Sequence, residues 1–229
     1  GLKQVKGKPS PVGLLHLVCC APDSPLLHSV GKKIAEDLDA FANHFYDEFI
    51  LFPENCPHID DYFLYLRTLK TTWLLNQWVE EEKEENICDI FSVGPGDVYR
   101  VTEATQWLLH AAARIAELLR KKSLTFDLEN LRKRVRYGIQ EELLDIIQLK
   151  NIGRIRARNL FKKGIRKVKD LNYISADELS KVPAISQNLA QDLLKQVHEF
   201  NKRSARTSST HRKETVEITA AEDLDEWED

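Results

Sequence analysis

The run Ile152-Gly153-Arg154-Ile155-Arg156-Ala157-Arg158 carries the residue types best suited to holding a chain of phosphates. A glycine suits a tight turn, because without a β-carbon it takes a positive φ freely. A helix that starts just after such a turn offers its first backbone N–H groups and the positive end of its dipole to an anion. Arginine at alternate positions adds salt-dependent phosphate contacts. Lys150, Lys162 and Lys163 extend the patch, and the arginines fan around the first turns of the helix, so not all three can meet one strand. An amphipathic segment, 141–149, precedes the turn, and a helical pattern, 159–163, follows it. Helix, glycine hairpin and a second helix opening in cations is the layout of a helix-hairpin-helix. Its natural ligand is a nucleic-acid backbone; a solvated cationic helix is the plain alternative.

A second constellation lies upstream. Arg100, Trp107 and Arg114 are spaced seven apart, so on a helix they share a face, with Glu103 and His110 between them. Seven residues rise roughly 10.5 Å, about the span of three stacked bases. A tryptophan face stacks on a base of any sequence, worth roughly 1–3 kcal/mol, while arginine takes a phosphate or a neighbouring base. By spacing alone, Trp107 also fits the edge of a core with an arginine as cation–π partner.

Other chemistry has little to work with. The four cysteines (Cys19, Cys20, Cys56, Cys88) form no CxxC pair, and Cys56-Pro57-His58 lacks a second half, so reduced thiols rather than a metal site are expected. Asp60-Asp61 and Glu141-Glu142 are adjacent pairs whose carboxylates diverge around a helix, so no catalytic residue is assigned. No G-x-x-x-x-G-K-[ST] loop is present to cradle ATP phosphates. No apolar run approaches the roughly 20 residues that cross a membrane, and no charged-then-apolar leader is seen. The chain starts at Gly1 and has no methionine, which points to a piece of a longer parent.

The net charge of −3 hides a segregation. Residues 34–99 carry 15 acidic and 3 basic side chains, whereas 117–172 carry 16 basic and 7 acidic ones. Residues 201–213 hold 5 basic and no acidic groups, and 214–229 hold 8 acidic and no basic ones. Such blocks imply a basic face for a polyanion and an acidic tail that cannot bind one.

The elements that must position these residues read as helices. Residues 32–51 and 59–82 form two, the second burying a broad face of Tyr62, Phe63, Leu66, Leu69, Trp73, Leu74 and Trp78. Gly94-Pro95-Gly96-Asp97 starts a long helix to about Lys121, whose stripe Val101, Ala104, Leu108, Ala111, Ile115 and Leu118 should face the core. Another runs from about Asp127 to Leu149 unless Gly138 breaks it, and after the hairpin a helix reaches Lys163, with Gly164 as its cap. A weaker second hairpin follows, with the capping box Ser175–Glu178, the link Val182–Ser186 and a helix ending near Phe200. Ala184 and Ser186 stand where a DNA-binding hairpin prefers glycine, which makes this hairpin a packing partner. The expected fold is all-α. Residues 1–10 are the end of a preceding domain or a linker, 11–145 a helical bundle, 146–200 a small helix-hairpin-helix domain, and 201–229 a disordered charged tail.

Three runs resemble a known family: 11–23 (PVGLLHLVCCAPD); 93–100 (VGPGDVYR) with Trp107-Leu108-Leu109; and 137–144 (YGIQEELL) through Gly153–Arg158. Over roughly residues 8–200 they are similar to the C-terminal part of archaeal HelQ-like DNA helicases, superfamily 2 motors also related to the helicase portion of polymerase theta. The resemblance implies a "ratchet" bundle whose long helix contacts the translocating single strand through Arg100 and Trp107. It further implies a helix-hairpin-helix domain whose Arg156-Ala157-Arg158 run grips the emerging strand as a brake or coupling element. The parent would be an ATP-dependent 3′-to-5′ helicase at stalled forks, active in replication fork repair and recombination. Its ATP and Mg would belong to a motor outside this chain, and it would sit in the cytoplasm at the nucleoid, or in the nucleus of a eukaryote.

The tail goes beyond the family core. Its acids alternate with Val216, Ile218, Leu224 and Trp227, a pattern that suits either docking on the basic groove of a single-strand-binding protein or shielding of the chain's own basic patch. A stand-alone helix-hairpin-helix repair adaptor and a helical module for acidic protein partners are the competing readings.

Overall fold

Residues Pro11–Cys19 form helix α1, which is apolar on every side, and every residue from Val12 onward is buried. A helix without a polar face has to be surrounded. Ser10 caps it by accepting a hydrogen bond from the Gly13 N–H at 3.0 Å, and Pro11 occupies the first turn, where a missing N–H is no loss. A β-carbon at Gly13 would collide with the Glu48 carbonyl, so glycine allows backbone-to-backbone packing here. The sequence patterns assigned no helix to this segment.

The computed structural model describes residues 1–5, 7–28, 32–51 and 62–202, and all regular structure among them is helical. Cys56, Asp60, Asp61 and the tail from residue 203 lie outside the described residues. The chain divides into two compact units, Gly1–Leu144 and the part from Asp145 onward.

In the first unit α1, α2 (Lys32–His44), α4 (Glu84–Phe91), α5 (Pro95–Leu118) and α6 (Lys122–Tyr137) all pack against α3 (Tyr62–Val79). The core is built from Leu14, Leu15, Leu69, Leu74, Ile87, Phe91, Leu109 and Leu128. The expected helix 32–51 stops at His44 and continues as a short 3-10 turn, Tyr46–Glu48. On α3 the expected buried face holds for Leu66, Leu69 and Leu74, with Trp73 and Trp78 packed at its margin. Tyr62 and Phe63 depart from it: both are exposed, because the first turn of α3 reaches beyond the core.

The expected helix through Leu149 ends early. Gly138 adopts φ +61° and closes α6, its N–H and that of Ile139 both donating to the Arg134 carbonyl. The buried Arg134 donates in turn to the Ile139 carbonyl (3.2 Å), the Val79 carbonyl (3.4 Å) and Glu80 Oε1 (2.9 Å), tying this turn to the end of α3. Trp78 Nε1 donates to the Val135 carbonyl at 2.7 Å. Beyond the turn the chain makes two separate 3-10 turns, Glu141–Leu143 and Ile146–Gln148, in place of one helix.

The second unit contains α7 (Arg154–Lys162), a 3-10 segment Val168–Tyr173, the one-turn α8 (Ala176–Leu179) and α9 over 187–202. Gly164 at φ +87° ends α7 as expected: its N–H reaches the Phe161 carbonyl and that of Ile165 the Leu160 carbonyl. Ile152, Ala157, Leu160, Val168, Leu179, Ile185, Ala190 and Leu193 are among its buried core residues.

Candidate nucleic-acid interface

The long helix α5 starts where the sequence signals place it. Pro95 is in its first turn, and Asp97 Oδ2 accepts from the Gly94 N–H at 3.1 Å. Its buried face is Val101, Thr105, Leu108, Leu109, Ala112, Ala113 and Ala116, and its most extensive packing is against α6. The alanines let the two backbones approach closely. The expected stripe is right for Val101 and Leu108 but fails at its end: Ile115 is half-exposed and Leu118 is 84% exposed. A stripe of period 3.5 drifts around a straight helix of period 3.6, so by the fourth turn it has wound off the core.

On the other side Trp107 is 63% exposed. Arg100 is half-exposed, with only a long contact of 3.7 Å to Asp97. Arg114 is also half-exposed and lies 2.8 Å from Glu117 and 3.9 Å from Glu129. Exposed pairs of this kind hold their partners weakly. Glu129 of α6 is the centre of a small network with His110 Nδ1 at 3.2 Å and Arg132 Nε at 2.8 Å. Burial pushes the Glu129 carboxyl up, but hydrogen bonds and charge from Arg132 and His110 outweigh this and hold it below the usual carboxylate value. The Glu129–Arg132 spacing is visible in the sequence, but nothing linear links it to α5. Tyr99, exposed beside Arg100, was not singled out either.

In the second unit the residue at positive φ in the first turn is Asn151 (+66°) and not Gly153, which is extended at φ −107° and serves as N-cap of α7. A β-carbon on Gly153 would meet nothing within 4 Å. The expected role of Gly153 in the turn is therefore corrected: asparagine, with its short polar side chain, tolerates the left-handed conformation. The second turn has the same form. Ala184 takes φ +68°, Ile152 and Ile185 are both buried, and Gly153 and Ser186 each precede a helix. The N–H of Ile152 donates to the Leu149 carbonyl as that of Ile185 does to the Val182 carbonyl.

The cations around the first turn have different surroundings. Lys150, Lys162 and Lys163 are exposed, and Arg154 is partly buried. Arg156 turns onto the backbone, Nε donating to the Ala184 carbonyl and Nη1 to the Asn151 carbonyl, both at 2.8 Å. Arg158 lies over the Phe161 ring at 5.1 Å, and Arg166, which the sequence reading did not include, lies over the same ring at 5.4 Å. The carboxamide of Gln196 on α9 accepts from the Lys150 N–H at 2.8 Å and donates to its carbonyl at 3.4 Å, pinning the turn.

Among the described residues no group of three His, Cys, Asp or Glu is arranged to hold a metal ion, and no helix is long and apolar enough to cross a membrane. The thiol of buried Cys19 is pushed up to about 12 by desolvation, so it is not a reactive nucleophile.

Comparison with known proteins follows the same division. The family model for archaeal helicase, domain 4, matches residues 12–138. The chain is 34% identical over 200 residues to the ATP-dependent DNA helicase Hel308 of Pyrococcus horikoshii, covering 85% of this chain and 27% of that protein. It is 30% identical to the protein of the same name from Pyrococcus abyssi, with the same coverage, and 31% identical to that of Methanocella arvoryzae, covering 86% of this chain and 27% of the relative. It thus spans about a quarter of the length of these relatives. With the matched bundle and the collinear second unit together, the chain belongs to the archaeal Hel308-type family of superfamily 2 helicases, as part of its C-terminal region.

Proposed function

We propose that this chain is a single-strand DNA-guiding part of an ATP-dependent DNA helicase, with the first unit as the ratchet and the second as a helix-hairpin-helix grip. The observation that carries the reading is Trp107, exposed in the middle of a 24-residue helix on a face shared with two half-exposed arginines. A large aromatic held mostly out to solvent on a rigid helix gains little for the fold, whereas stacked on a base it supplies sequence-independent affinity. Arg100 and Arg114 sit one heptad to either side, where they meet phosphates of the same strand. Lys150, Arg154, Arg158, Lys162 and Lys163 extend the cationic contact in the second unit, with the N–H groups opened by Gly153. The parent acts at forks during repair and recombination, with ATP and Mg bound by motor domains outside this chain. The partner assigned to the acidic tail 214–229 is the basic groove of a single-strand-binding protein. Deleting that segment abolishes the binding; a gain in DNA affinity instead would mark the tail as a shield.

The test is fluorescence anisotropy of a labelled single-stranded oligonucleotide titrated with the intact chain over a salt series. Binding that weakens linearly in log salt, with single strand preferred over duplex, is expected. No binding at low salt would overturn the proposal.

A further inference from the structure

Arg156 lies in the middle of the most cationic run of the chain, and a contact to phosphate is the obvious role for it. Its geometry is different. Two of its donors are engaged at 2.8 Å by two backbone carbonyls, one from each turn of the second unit. These carbonyls belong to Asn151 and Ala184, the two residues at positive φ other than Gly164 among the described residues of that unit. Each is the tip of a turn that launches a helix, α7 in one case and α9 in the other. One turn further along α7, Asn159 Nδ2 donates to the Pro183 carbonyl at 3.0 Å, so the same helix holds the second turn at two successive residues.

We infer that Arg156 is a positioning residue: its guanidinium clamps the tips of the two turns together, and it acts on any strand gripped there through the backbone rather than by touching phosphate. A planar fork with several fixed donors can bridge two carbonyls, whereas an ammonium on a flexible stem is a point donor that cannot reproduce that geometry. The second turn gains most from an outside tether, since Ala184 is held at φ +68°, a conformation that a β-carbon disfavours. Gln196 secures the first turn from α9 in the same manner. The two turns therefore form one platform, and the register between the helix starts at 154 and 187 depends on this side chain.

The consequence for DNA rests on the proposed grip, but the clamp itself does not. Hydrogen–deuterium exchange of the intact chain without DNA tests the clamp. Arg156→Lys is expected to raise exchange at least threefold in peptides covering 149–153 and 182–189, and the uncharged Asn159→Ala in 182–189 alone, with 100–116 unchanged in both. Exchange in both turns equal to wild type in Arg156→Lys would overturn it. If Arg156→Lys does not fold, Arg156→Gln carries the test through the same two segments. With single-stranded oligonucleotide, Arg156→Lys and Arg156→Gln are both expected to bind about tenfold more weakly with the salt slope unaltered, whereas Lys163→Ala lowers the slope by about 0.7, the value for one phosphate contact on a single strand. Near-normal affinity in Arg156→Lys, with a reduced slope in Arg156→Gln, would mark Arg156 as a phosphate ligand and overturn the inference. A wild-type chain that shows no DNA affinity sinks the proposed function and leaves the exchange result to decide the clamp.

Discussion

Truncating Trp107 to alanine separates binding from folding more cleanly than any other change on α5. The residue is 63% exposed, so its loss removes little buried area. With roughly a third of an area of about 250 Å² buried, at about 25 cal/mol per Å² the stability change is about 2 kcal/mol at most. Leu108→Ala, one position on and 8% exposed, should lose about 2–5 kcal/mol. If Trp107 stacks on a base, its removal weakens single-strand binding by about 1–3 kcal/mol, which is about 5- to 150-fold in Kd. No phosphate contact disappears, so the slope of log affinity against log salt stays where it was, whereas Arg100→Ala should lower it by about 0.7. The assay is anisotropy of a labelled oligonucleotide at four or five salt concentrations, with the Tm of each variant measured in parallel. Trp107→Ala binding within twofold of wild type across the series would refute the stacking argument. So would a binding loss accompanied by a Tm drop as large as that of Leu108→Ala, since the tryptophan would then be acting on the fold.

Two further predictions concern the first unit. Gly138→Ala places a β-carbon 2.7 Å from Trp78 Cε2 at φ +61°, so destabilisation of about 2 kcal/mol or more is expected, with a shift in tryptophan emission as the indole moves; a Tm equal to wild type would contradict the geometry. His16 is buried and stacked on Phe49 at 4.2 Å, and desolvation lowers its pKa from the ordinary 6.5 to about 4. The unfolded chain then binds a proton that the folded chain refuses between those values. Stability should be intact above about pH 6.5 and fall as pH drops toward 4, by about 3 kcal/mol in all. Urea midpoints of wild type and His16→Phe against pH check this, and parallel curves for the two would show that His16 does not titrate as described.

Capping chemistry was the most legible layer of this sequence. Pro95 and Asp97 at the start of α5, the Ser175–Glu178 box and Gly164 after α7 act where local residue types place them, because each interaction spans only a few residues. The exposed Arg100–Trp107 face was legible by spacing, though only as one of two readings. The apolar run 11–19 gave no periodic signal, since a helix buried on every side has no polar face to set a period. Ile115 and Leu118 were misassigned because their spacing fits a stripe, while the straight axis of α5 and the span of its neighbours decide where that stripe leaves the core.

The sequence by itself determined an all-helical chain, its charge segregation, the start of α5 and the end of α7, and the places where a polyanion could meet cations and an exposed aromatic. These follow from local propensity, periodicity and net charge, which need no knowledge of what lies across the fold. Tertiary structure decided which of those side chains remain available. The positive φ fell on Asn151 and Ala184 rather than Gly153, because the packing of Ile152 and Ile185 sets the turn. Arg156 was drawn onto two carbonyls, whereas Trp107 was left in solvent. A guanidinium goes to whichever acceptors packing brings within reach, and the two acceptors of Arg156 lie 5 residues before it and 28 after it in the chain, the second a separation that no local pattern encodes.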